Sequence, residues 1–242
     1  MYVPKGLLLR HWVAAVFVCT SVAFADETTF EPSAIIDEYV AASTAQQSKL
    51  AGASMEVEIA AEVPKLHKSG RLHALRRISA LGRITYDALR FEGDRSIKND
   101  VIARYLTAEA EALKSGPWDL AVTPANYKFK YKGLVEKDGR KVYAFHVSPR
   151  KKRVGLFDGE LWLDPETHLA VRESGRMVKS PSVFVKKIEF VREYEIMGGI
   201  AVPRRIESLV DTRLVGKAKL TVAFTSFSLG EQAQAVLTGG GI

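Results

Sequence analysis

Apolar and polar residues alternate strictly over most of this chain. A period of two restricts such segments to antiparallel strands with one dry face and one wet face. Met55, Val57, Ile59 and Ala61 alternate with Glu56, Glu58 and Glu62, and Tyr127, Phe129 and Tyr131 with Lys128, Lys130 and Lys132. Tyr143, Phe145 and Val147 alternate with Val142, Ala144 and His146. Phe184, Ile188, Phe190 and Tyr194 share a face opposite Lys187, Glu189 and Glu193, and Leu220, Val222 and Phe224 repeat the pattern. Turn signals punctuate these runs: Lys137-Asp138-Gly139, Phe157-Asp158-Gly159, Asp164-Pro165-Glu166-Thr167, Met197-Gly198-Gly199 and Val215-Gly216-Lys217. Asp-Gly and Gly-Gly supply the positive φ angles of tight hairpins. The pattern predicts a meander of about ten strands.

Two segments carry helical spacing instead. Glu31 to Leu50 presents Ile35, Ile36, Tyr39 and Val40 on one side, with Pro32 in the first turn, where its missing N–H costs nothing. Ile97 to Lys114 presents Val101, Ile102, Tyr105, Leu106 and Leu113, and Ser115-Gly116-Pro117 ends it. A long sheet must cover its apolar face, and two narrow helical stripes are little cover. The expected fold is α+β, mostly β: a curved antiparallel half-barrel sheet wrapped around two or three helices. An apolar cleft is expected between sheet and helices.

The first 25 residues read as a secretory signal. Lys5 and Arg10 precede the short apolar run Trp12 to Val18, and Ala23-Phe24-Ala25 is a small-x-small cleavage site. The expected location is the periplasm, with residues 26–242 forming one domain. Cys19 is the chain's one cysteine, and it follows Phe17-Val18 rather than the small residues that a lipidated cysteine requires. It would leave with the signal, so no thiol chemistry is expected of the mature chain. The formal net charge of +7 is compatible with an anionic surface as a contact, without specifying one.

Catalytic constellations are not evident. The chain has no Gly-x-Ser-x-Gly elbow, phosphate loop or His-Glu-x-x-His, and its five His are not spaced as metal ligands. No enzymatic activity, metal or cofactor is expected. The lysines of Lys128, Lys130 and Lys132 face away from their neighbouring aromatics, so they form no base-stacking platform, and no nucleic acid is expected. Arg150-Lys151-Lys152-Arg153 reads as a loop able to touch anionic headgroups or a partner.

The run from Gly155 to Arg172 joins a strand, a Trp162-x-Asp164-Pro165-x-Thr167 turn and a return strand. An aromatic-rich strand (Phe184 to Tyr194), Gly198 to Arg204 and a last hairpin follow. This order resembles the outer-membrane lipoprotein-sorting and lipoprotein-carrier superfamily (LolA/LolB-like) and periplasmic sigma-factor regulators that share its fold. The resemblance implies a half-barrel whose cleft holds acyl chains, with lipid or a lipidated protein as cargo and peripheral membrane contact. It also implies an Arg fastening a helical lid, to which no residue here is assigned. The residues expected to line the cleft are Phe129, Tyr131, Phe145, Trp162, Phe184, Phe190 and Phe224, with Ile102 and Leu106 from the second helix. The alternative reading is an envelope protein-binding or sensing module on the same fold. A hydrolase would need a convergent polar cluster in the cleft.

Overall fold

The computed structural model describes residues 31–79, 83–114 and 119–230. The expected signal peptide, the Ser115-Gly116-Pro117 stop and the Gly239-Gly240-Gly241 tail lie outside these residues. Helix α1 is Pro32–Lys49, followed by β1 (Ser54–Val63), β2 (Lys68–Ile78) and β3 (Ile84–Gly93). The second helix runs on through α2 (Arg95–Ile97), a π-helical stretch at Lys98–Ile102 and α3 (Ala103–Lys114). Then come β4 (Tyr127–Lys137), β5 (Arg140–Pro149), β6 (Phe157–Leu163), β7 (Ala170–Met177), β8 (Val185–Met197), β9 (Ile200–Thr212) and β10 (Lys217–Ser228).

The ten strands form one antiparallel sheet in the order β3-β2-β1-β10-β9-β8-β7-β6-β5-β4. Consecutive strands pair throughout except β3 and β4, and β1 lies against β10, which joins the first three strands to the last seven. The sheet is open, with β3 and β4 at its edges. The β4 edge is faced by Lys128, Lys130 and Lys132, all exposed, which discourages pairing with another chain.

The hairpins follow the turn chemistry of the sequence. Asp138 and Gly139 both have positive φ, as do Gly198 and Gly199, the backbone that a two-residue hairpin loop requires. In the turn after β6, Asp164 Oδ1 accepts hydrogen bonds from the Glu166 and Thr167 amides and the Thr167 hydroxyl. One expected turn is corrected: Phe157-Asp158-Gly159 lies inside β6, and the chain reverses earlier, between Pro149 and Phe157. Gly159 pairs with Gly175 of β7, and a Cβ on it would run into the Ser174 carbonyl. This glycine permits close approach of two backbones rather than a positive φ.

Two separate apolar clusters form the core. One joins α1 (Ile35, Tyr39) to β4–β8 through Tyr127, Phe145, Leu161, Leu163 and Phe190. The other joins Ile97 and Ile102 to β1, β2 and β10 through Met55, Val57, Ile59, Leu72, Leu220 and Val222. Each helix thus covers its own half of the sheet.

Substituting Gly159→Ala is expected to destabilise the protein by about 1–3 kcal/mol, the usual cost of forcing atoms into a filled space. Urea unfolding monitored by circular dichroism checks this.

Candidate functional site

Directly opposed residues on antiparallel strands share a face, so the strand registers trace a row of side chains across the whole sheet. It runs Tyr131, Phe145, Leu161, Glu173, Arg192, Ile206, Val222, Ile59, Leu72 and Phe91, from β4 to β3. Eight of these ten side chains are apolar or aromatic. The other two, Glu173 and Arg192, are neighbours in the middle. Arg192 Nη1 lies 2.7 Å from Glu173 Oε2, with the glutamate side chain 8% exposed and the arginine 35%.

Further polar groups gather around this pair. The Tyr194 hydroxyl hydrogen-bonds with Arg192 and Glu173, and the Tyr39 hydroxyl of α1 with Ser43. On the far side of the row, Arg76 Nη2 donates to Glu109 Oε1 of α3 at 3.2 Å, and the Tyr86 hydroxyl donates to Glu109 Oε2. Arg76 also reaches Met55 Sδ at 3.8 Å and sits 5.9 Å from the centre of the Phe224 ring. Arg76 therefore ties α3 to β2. Burial raises the pKa of Tyr39, Tyr86, Tyr105 and Tyr194 above the usual phenol value, with Glu173 or Glu109 adding to the effect. Burial pushes Tyr127 up to about 12.

Two grooves adjoin this polar belt. The larger, of about 460 Å³, is lined by Met55, Met197, Val202, Pro203, Ala223, Phe224 and Phe227, with Glu195, Arg204, Arg205, Thr225 and Ser226. It opens where two sheet neighbours part. The β9–β10 ladder begins at Asp211 opposite Lys217 and stops at Arg205 opposite Ala223. Beyond it, Ile200–Pro203 pair with β8 and Phe224–Ser228 with β1. Both strands carry an irregularity there. Arg204 has no partner between Tyr194↔Pro203 and Glu193↔Arg205, and Ser226 and Phe227 face Met55 alone, with Ser226 at φ 52°. Such bulges bend and twist a strand, and Pro203 has no N–H to offer a ladder. Consecutive residues, from Ala223 to Phe227, line the groove. The smaller groove, of about 290 Å³, lies between α1 and β7–β9 and includes Tyr39, Ser43, Gln46, Glu173 and Tyr194.

The nine expected lining residues are dispersed. Phe145 and Phe190 are buried in the first core cluster, with Phe129 and Tyr131 packed on it. Ile102 is buried in the second, with Leu106 and Phe224 packed on it. Phe224 alone of the nine lines either groove. Trp162 points to the other face, its ring 4.7 Å from the Arg172 guanidinium and 5.9 Å from Lys137 Nζ, because Leu161 and Leu163 beside it take the core. Phe184 precedes β8 and is 52% exposed. Arg150 and Arg153 hold the loop before β4, donating to the carbonyls of Pro124 and Asp119, while Lys151 and Lys152 are exposed.

A Ser, a His and an Asp also meet on the outer face. The Ser148 hydroxyl donates to Asp158 at 2.7 Å, and His146 Nε2 lies 3.1 Å from Ser148 Oγ and 3.6 Å from Asp158. One ring nitrogen faces both partners, so this His cannot relay a proton between them as a hydrolytic triad does.

Two outcomes are expected from this geometry. Replacing Glu173 by Gln leaves Arg192 uncompensated on an apolar face and should cost about 3 kcal/mol, the low end for a buried pair because a third of Arg192 stays exposed. A double-mutant cycle with Arg192→Met, read by urea unfolding, should recover most of that loss. The second concerns pH. The fold favours the neutral phenols, so their contribution is complete below the unfolded pKa of about 10 and falls as pH rises above it. Urea midpoints should fall as pH rises from about 10 toward 12.

No family model matches the sequence, and no curated protein matches it. Solved structures are similar in fold. One is a DUF1329 family protein from Desulfovibrio piger, 13% identical, covering 81% of this chain and 92% of that one, with a TM-score of 0.45. A second is a LolA superfamily protein from Nitrosomonas europaea, 10% identical over 82% and 93% of the two chains, at 0.39. A third is a putative outer membrane lipoprotein-sorting protein domain from Vibrio parahaemolyticus, 10% identical over 84% and 99%, at 0.36.

Proposed function

We propose that this chain is an exported, periplasmic, non-enzymatic binding protein that holds a hydrophobic guest in the groove between β9 and β10. The finer form of the reading is a carrier of lipid or of a lipidated protein, sorting it toward the outer membrane. The observation that supports it is the groove itself. Its volume of about 460 Å³ lies within the range of about 300–1,000 Å³ usual for ligand sites, and most of its lining is apolar. Burying apolar atoms there is worth about 0.8 kcal/mol per CH₂, and association offsets a large part of that. The net is reversible binding, which suits a carrier. Exposed Lys151 and Lys152 suit brief contact with an anionic surface.

Native mass spectrometry of the protein purified from envelope should show a co-purifying hydrophobic mass, and a fluorescent apolar probe should be displaced by it. Met197→Trp and Ala223→Trp, placed on the two sides of the groove, should each weaken probe binding by at least about tenfold, the effect of losing 1.4 kcal/mol. Met197 is 44% exposed, so its substitution should leave thermal unfolding unchanged. A protein that neither carries nor binds any hydrophobic molecule would remove this reading.

A further inference from the structure

We infer that the guest of the β9–β10 groove is an extended peptide segment that adds a strand to the sheet at that point. This rests on the groove being the binding site, as proposed above, and names the chemistry of its occupant.

The main observation is backbone, not side chain. Past the Arg205–Ala223 pair, β9 and β10 each keep a strand partner on the outer side only, among the described residues. A strand presents its N–H and C=O groups to both sides in turn, so alternate backbone groups of Val202–Arg204 and Phe224–Ser228 face one slot without a strand partner among the described residues. Nearer the β8–β9 hairpin, at the smaller groove, the Ala201 amide is already satisfied, donating to Gln46 Oε1 of α1 at 2.9 Å.

An acyl chain entering the slot would strip water from these edges and return no hydrogen bonds, at the cost of leaving backbone groups buried and unpaired. An extended peptide supplies a donor and an acceptor at each residue, and its alternate side chains reach the apolar lining on the two faces. Charge points the same way. The charged residues that line the slot are paired: Arg204 with Glu195 at 3.1 Å, and Arg205 with Glu207 at 2.7 Å. The slot therefore offers no unpaired cation to a lipid headgroup, and it matches the uncharged backbone and apolar side chains of a β-forming segment.

The test uses the full mature chain and two probe classes. The first is an array of synthetic peptides about nine residues long, with Val, Leu, Phe or Ala at alternate positions and Ser, Thr or Gln between them. The second is dodecanoate. The expected result is that array members bind and that N-methylation of their alternate amides weakens binding by at least about tenfold. Amide exchange at Arg204 and Phe224–Ser228 should slow in the complex, and Met197→Trp should abolish that protection while the thermal midpoint holds. Peptides that bind equally well after N-methylation, or bind without protecting these amides, overturn the inference. Binding of dodecanoate with no array member bound also overturns it but leaves the hydrophobe-binding reading intact. If neither class binds, both fall.

Discussion

The Glu173–Arg192 pair stands at the centre of a row that is otherwise apolar from one edge of the sheet to the other. An ion pair in that position is tolerated only because its partners meet at 2.7 Å and Tyr194 takes up remaining hydrogen-bonding capacity. Its effect on the architecture is to divide the hydrophobic face. Apolar side chains collect on either side as two clusters, each with its own helix, instead of fusing into one continuous core. The polar belt formed with Tyr39, Tyr105, Arg76, Glu109 and Tyr86 lies between helices and sheet, where a uniformly apolar cleft was expected.

Division of the core goes together with division of the sheet. β9 belongs to the meander through β8 and to the N-terminal strands through β10, and its two ends serve these neighbours differently. Where the ladder to β10 is regular, the layer is closed. Where Arg204 bulges, Pro203 withholds an N–H and Ser226 turns to positive φ, the layer opens. The larger groove thus comes from failed pairing within the sheet. The aromatic side chains beneath the helices pack on one another, with the Phe157 and Phe190 rings edge to face at 5.0 Å and the Tyr131 and Phe145 rings tilted at 5.2 Å.

Much of this architecture was legible residue by residue. The alternation around Ile59, Tyr131, Phe145 and Val222 gave the strands and their dry faces, and Asp138-Gly139 and Gly198-Gly199 gave two hairpins. Phe157-Asp158-Gly159 misled because glycine serves two purposes, and only the proximity of Ser174 distinguishes close approach from a turn. Trp162 was expected in the cleft, but leucines flank it, and two leucines outweigh one indole for the core. Arg192 is equally hard to place from its neighbours. Between Phe190 and Tyr194 it has the parity of the dry face, but an isolated arginine reads as an exception until its glutamate, 19 residues earlier, is seen beside it.

The sequence by itself determined the local conformations: ten strands, two helical segments and most of the reversals, because period, turn residues and helix breakers act over a few bonds. Only the tertiary structure decided that β1 docks on β10, that Glu173 meets Arg192, that Arg76 ties α3 down, and that β9 and β10 separate beyond Ala223. These facts depend on register between strands distant in the chain. A shift of one residue would turn every side chain to the opposite face, and no local pattern records which register the assembled sheet adopts.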